Sequence, residues 1–151
     1  MLHLQHTSKM STTPVIVERV FNKPVTLVWK ALTNLDQLKQ WYFELADFKA
    51  SVGFEFEFYG GKDENRQYLH HCKITEVVKE KKLSYTWRYV GYPGNSTVTF
   101  EFFDQGDSTR LRLIHSGIES FGSNPDFAKD EFTVGWTMFL NDALNDFLLA
   151  S

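Results

Sequence analysis

The chain has 151 residues and a formal net charge of −3, with 42% hydrophobic and 23% charged residues, which fits one globular domain large enough to bury a core. Its basic residues are scattered apart from Lys79-Glu80-Lys81-Lys82, so the concentrated basic surface of a nucleic-acid binder is missing and that run is read as a solvated turn. Cys72 is the single cysteine, which rules out an internal disulfide; no apolar run reaches the roughly 20 residues of a membrane span, the N-terminus lacks the pattern of a signal peptide, and the expected setting is the cytoplasm.

Residues 1–13 have no useful periodicity and are rich in Ser and Thr; they are read as a disordered tail, with the domain running over 14–151. Val15 to Phe21 is β-branched and apolar, a first strand. Asn22-Lys23-Pro24 breaks it, and Pro24 suits the first turn of a helix over Val25 to Thr33. Thr33 or Asn34 can cap a second short helix, Leu35 to Trp41. Phe54-Glu55-Phe56-Glu57-Phe58 alternates strictly, placing three Phe on one face and two Glu on the other. Gly60-Gly61 reads as the turn that follows. Tyr68 to Val78 is the next strand. Leu83 to Tyr89 comes after the charged turn, with Leu83, Tyr85, Trp87 and Tyr89 on one face. Tyr92-Pro93-Gly94-Asn95 is a turn signal. Thr97 to Phe103 and Arg110 to His115 alternate again, the latter with Leu111, Leu113 and His115 together. Strand after strand with short turns favours an antiparallel meander.

Ser116 to Asp126 is a loop, and a helix then runs to about Leu149. From Phe132 its apolar positions fall at offsets 4, 7, 8, 11, 12, 15 and 16, an unbroken helical stripe. Such a helix must dock on the apolar face of the sheet. The reading is therefore an α+β fold: a curved antiparallel sheet of about six to seven strands wrapped around a long C-terminal helix, with two short helices after the first strand.

That order and the local wording resemble the START-like superfamily, also called SRPBCC or helix-grip, and within it the homologues of the heat-shock-protein ATPase activator. The matching pieces are Val28-Trp29-Lys30-Ala31-Leu32-Thr33, Trp41, Lys73-Ile74-Thr75-Glu76-Val77-Val78 and Leu83-Ser84-Tyr85-Thr86-Trp87. Ser96-Thr97-Val98-Thr99-Phe100, the run Thr109 to Gly117, and Gly135-Trp136 follow in order. The resemblance covers about residues 14 to 149. Val52 and Glu80 stand where the family often has Gly and Pro. The family has no shared catalytic set, so the resemblance implies a fold and a cavity more than a reaction. It also implies possible contact with a heat-shock-protein chaperone, although the full activator has a further domain.

The residues themselves offer little catalytic chemistry. His70 and His71 are adjacent on a strand, point to opposite faces and cannot chelate one metal. No Cys/His cluster has zinc-site spacing, so neither a metal nor a cofactor is expected. Cys72 reads as a small core residue rather than a nucleophile. Glu55 and Glu57 read as a solvated face rather than an acid/base pair. His115 stays open between a histidine bonded at a strand end and a polar anchor in an apolar pocket.

The 14 Phe, 6 Tyr and 4 Trp suggest either a bulky core or an aromatic-lined cavity. The expected inner face takes Phe56, Tyr85, Trp87, Phe100 and His115 from the sheet. The final helix adds Phe132, Trp136 and Phe139. The leading expectation is a module that binds a small apolar or aromatic molecule between sheet and helix, with no nucleic-acid or membrane partner. The alternatives are a chaperone-interacting module, and a cyclase or hydrolase using the same pocket.

Overall fold

In the computed structural model, which describes residues 12–151, the alternating segments become six antiparallel strands. These are β1 (Val15–Phe21), β2 (Glu55–Gly61), β3 (Gln67–Val78), β4 (Lys82–Tyr89), β5 (Ser96–Asp104) and β6 (Thr109–Ser116). Residues 1–11 of the expected tail lie outside the described residues. The spatial order is β1-β6-β5-β4-β3-β2. Strands β2 to β6 thus form the expected meander, and β1 closes the far edge beside β6. A register shift between Ile74 and Glu76 marks a bulge in β3, and bulges increase local bend and twist. Phe56 and Phe58 are buried while Glu55 and Glu57 are exposed, as their alternation requires.

Gly60-Gly61 departs from the expectation. These residues do not turn the chain but finish β2, paired with Tyr68 and Gln67. The turn lies over residues 62–66. The physical reason is crowding. A Cβ on Gly60 would stand 2.6 Å from the Phe43 ring and 3.3 Å from the His70 ring, so glycine here makes room for aromatics.

Helices α1 (Val25–Thr33) and α2 (Leu35–Trp41) fall where their signals put them. Pro24 is the extended residue just before α1. Asn34 caps α2, its side chain accepting from the Gln37 N–H at 3.1 Å. The Trp41 indole donates to the Ala31 carbonyl at 2.9 Å and pins the two helices together. The expected loop over Ser116 to Asp126 holds short 3₁₀ turns at Ile118–Phe121 and Pro125–Phe127.

The final helix comprises α3 (Lys129–Met138), a π-helical stretch (Phe139–Leu144) and α4 (Asn145–Ala150). Its buried stripe is Phe132, Trp136, Leu140, Leu144 and Leu148, a spacing of four throughout. A turn of α-helix holds 3.6 residues, so such a stripe would drift around a straight helix by about 40° per step. The wider π turn offsets that drift and keeps the stripe on the sheet. Among the described residues no helix is long and apolar enough to cross a membrane.

Candidate aromatic cavity

The space between sheet and helix has two ends. At the first, β6 alternation turns Leu111, Leu113 and His115 inward, all fully buried. The Trp136 indole donates to His115 Nδ1 at 3.0 Å. An indole N–H can only donate, so Nδ1 is unprotonated and Nε2 carries the ring hydrogen. Nε2 then donates to Ser96 Oγ at 2.7 Å, and the Ser96 hydroxyl donates to the Trp87 carbonyl at 2.7 Å. This relay ties α3 to β6, β5 and β4 with every polar group used. Burial holds the imidazole neutral by pushing its pKa down to about 3. Close by, the Tyr42 and Tyr85 hydroxyls share a 2.8 Å hydrogen bond, and burial raises the pKa of both phenols.

At the second end, between β2–β4 and α3, the helix does not close onto the sheet. A cavity of about 370 Å³ remains. Trp87, Tyr89 and His70 line its sheet side, Trp136 and Phe139 its helix side, and Phe43 closes in from the segment after α2. Gly135 belongs to the helix wall, and a Cβ built on it meets nothing within 4 Å. The walls are tightly coupled rings. Phe43 stacks on Phe58 at 4.3 Å, and Trp87 meets Trp136 edge-on at 5.2 Å.

His70 is 4% exposed although it lines the cavity. Its Nδ1 donates to the Tyr68 carbonyl at 2.9 Å, so the neutral ring leaves Nε2 as an acceptor. Phe58 stacks on the ring at 4.5 Å, and the Trp87 and Tyr89 rings meet it edge-on at 4.8 and 4.7 Å. Burial pushes its pKa down to about 4.

Charge is confined to the mouth. Lys62 Nζ lies 3.2 Å from Glu131 Oε1 and Arg66 lies 3.6 Å from Asp126, so the pairs join the β2–β3 turn to the first turn of α3 and to the 3₁₀ turn before it. The Tyr68 hydroxyl also donates to Asp126, at 2.5 Å. This short bond is the main reason the Tyr68 phenol pKa is raised.

Four of the eight expected site residues line the cavity: Trp87, Phe132, Trp136 and Phe139. The other four share the inner face but pack beneath it. Phe56 and Phe100 flank Tyr85 at 5.2 and 6.1 Å, and His115 is held in its relay. Sequence reasoning did not place Phe43, Tyr68, His70, Tyr89 or Phe127 in the pocket. Tyr89 and His70 were reachable. Tyr89 continues the Trp87 alternation, and His70 shares a face with the buried Cys72 and Ile74. Phe43 sits in an irregular segment with no period to betray it.

Cys72 is fully buried, and burial raises its thiol pKa well above the usual range, which keeps it an inert core thiol. His71 lies on the opposite face from His70, with Nε2 2.8 Å from Glu55 Oε1. Among the described residues, no three His, Cys, Asp or Glu side chains gather as a metal site.

The sequence matches the family model for activator of Hsp90 ATPase homolog 1-like proteins over residues 22–148. The chain belongs to this family. The matched stretch runs from just before α1 nearly to the end of the final helix, and so takes in every wall of the cavity. No curated protein matches the chain in sequence. Among solved structures, MLL2253 from Mesorhizobium loti superposes with a TM-score of 0.75 at 28% identity, covering 91% of this chain and 98% of that one. CalU16 from Micromonospora echinospora gives 0.65 at 27% identity over 88% and 71% of the two chains. DynU16, from the dynemicin biosynthetic locus, shares the fold at 20% identity and a TM-score of 0.73, over 90% of this chain and 47% of its own. The family is thus shown with its helix-grip architecture: an open, curved six-stranded antiparallel sheet closed by a C-terminal helix.

Proposed function

We propose that this protein binds a small, largely aromatic molecule in the cavity between β2–β4 and α3. The observation that carries this reading is the cavity of about 370 Å³, walled by aromatic rings and charged only at its mouth. Ligand pockets of roughly 300–1,000 Å³ have this character, apolar with a few placed polar groups. Membership of a family with a ligand-binding type of fold supports it. Burying about 300 Å² of a bicyclic aromatic at about 25 cal/mol per Å² contributes about 7.5 kcal/mol before association losses, to which hydrogen bonds and ring contacts add.

The test is a tryptophan-fluorescence titration with 2-naphthol on the native chain and on Gly135→Leu, whose side chain would fill the gap. Binding should weaken at least tenfold in the variant, with thermal stability unchanged or raised. Equal affinity in both proteins would place the ligand elsewhere.

The family description supports a second reading, contact with an Hsp90-type chaperone. Stimulated chaperone ATP hydrolysis on adding this protein would support it, and an unchanged rate would remove it.

A further inference from the structure

Two polar atoms on the cavity wall are left with hydrogen-bonding capacity. The Tyr89 side chain is 4% exposed, and its oxygen accepts from the Trp87 indole N–H at 2.9 Å. That bond fixes the hydroxyl but uses only its oxygen. Among the described residues nothing accepts the hydroxyl proton. His70 is the complement. Its Nδ1–H is committed to the Tyr68 carbonyl, the Phe58 carbonyl also interacts with the ring, and no donor among the described residues is bonded to Nε2, which remains an acceptor. The His70 and Tyr89 rings lie 4.7 Å apart, and both line the cavity. Neither atom is a sealed orphan of the core, and a donor and an acceptor side by side on a cavity wall suit a partner that supplies both halves.

We infer that the ligand is a phenol: an aromatic ring system whose hydroxyl donates to His70 Nε2 and accepts from the Tyr89 hydroxyl. The inference rests on the cavity reading above and adds the ligand's functional group. A hydroxyl is the smallest group that donates and accepts through one atom. An ether or ketone oxygen answers Tyr89 alone, and an unsubstituted hydrocarbon answers neither. Trp87, Trp136 and Phe139 take the ring faces. A carboxylate is disfavoured, because a bare charge among these rings would be desolvated with one donor to offset it.

The test compares naphthalene, 2-methoxynaphthalene and 2-naphthol, which differ little in ring area. 2-Naphthol should bind about tenfold or more tighter than naphthalene, the yield of two modest hydrogen bonds, with the ether between them. Tyr89→Phe should bring 2-naphthol close to the affinity of naphthalene. Because that variant also deprives Trp87 of its acceptor, an independent readout uses the native chain. The Nε2 nitrogen resonance of His70 should move on adding 2-naphthol and stay in place with naphthalene. If naphthalene and 2-naphthol bind equally and the His70 resonance is still, the cavity reading survives and the phenol assignment falls. If none of the three binds below millimolar concentration, the cavity reading itself fails, and this inference with it.

Discussion

His115 and His70 stand on the same inner face of one sheet, both nearly inaccessible and both kept neutral by burial, yet they sit in opposite situations. His115 spends both nitrogens, receiving from Trp136 and giving to Ser96. His70 turns its hydrogen-bonding to the backbone, chiefly the Tyr68 carbonyl, with the Phe58 carbonyl also near the ring. Around His115 the helix seats directly on β5 and β6, and the core is closed. Around His70 the helix stands off, and Gly135 on the helix wall has no side chain to fill the gap. One end of the grip is a clamp and the other an open cavity. A helix fixed by a buried hydrogen-bond relay at one end need not collapse onto the sheet at the other.

The largest expected effect tests what the two histidines share. Each imidazole is neutral in the folded protein, with its pKa pushed down to about 3 or 4, against about 6.5 in the unfolded chain. Below about pH 6.5 the unfolded state therefore binds more protons, and stability falls as pH falls until the folded values are reached. Between pH 7 and pH 5 the two together should remove about 4 kcal/mol, read by urea unfolding at each pH. Removing one histidine should halve that slope.

The next separates them. His115→Phe leaves the Trp136 N–H buried without an acceptor and strains a packed site, at a cost of about 3 kcal/mol. His70→Phe loses a single bond at the edge of a cavity that can accommodate the change, and should cost about 1 kcal/mol. Equal losses in urea melts would erase the distinction between clamp and open cavity.

Much of this architecture was legible in the chain. Strict alternation in Thr97–Phe103 and Arg110–His115 located strands that the structure extends by one residue at each end, and Phe54–Phe58 located β2, which runs on to Gly61. A long-range register needs no foresight when hairpins are consecutive and one face is apolar. The cavity was legible only in outline. Trp87, Trp136, Phe132 and Phe139 came from the correct faces, but a periodicity says which way a residue points, not how far along the sheet the helix lifts away. Phe43 is invisible because its segment has no repeat. Gly60 misled because a glycine pair signals a turn by propensity, while here it makes room for the Phe43 and His70 rings. His115 could not be placed until its partners Trp136 and Ser96, 21 and 19 residues distant, were seen against it.

Smaller effects refine the open end. Gly135→Ala adds a methyl that meets nothing and removes a flexible residue from a helix interior, so it should stabilise by about 0.5–1 kcal/mol in thermal unfolding. A loss instead would mean the wall is already in contact there. At the mouth, Lys62→Ala should change stability by less than about 0.5 kcal/mol, because its pair with Glu131 is exposed. It should nonetheless speed ligand entry in stopped-flow fluorescence, since that pair bridges the two sides of the opening.

The most direct measurement is a crystal of the native chain soaked with 6-bromo-2-naphthol and recorded at the bromine absorption edge. The account predicts an anomalous peak inside the cavity bounded by Trp87, Trp136 and Phe139, with the ligand hydroxyl between His70 Nε2 and the Tyr89 oxygen. A bromine peak only on the outer face near Glu55 and Glu57, with the cavity unchanged, would contradict it.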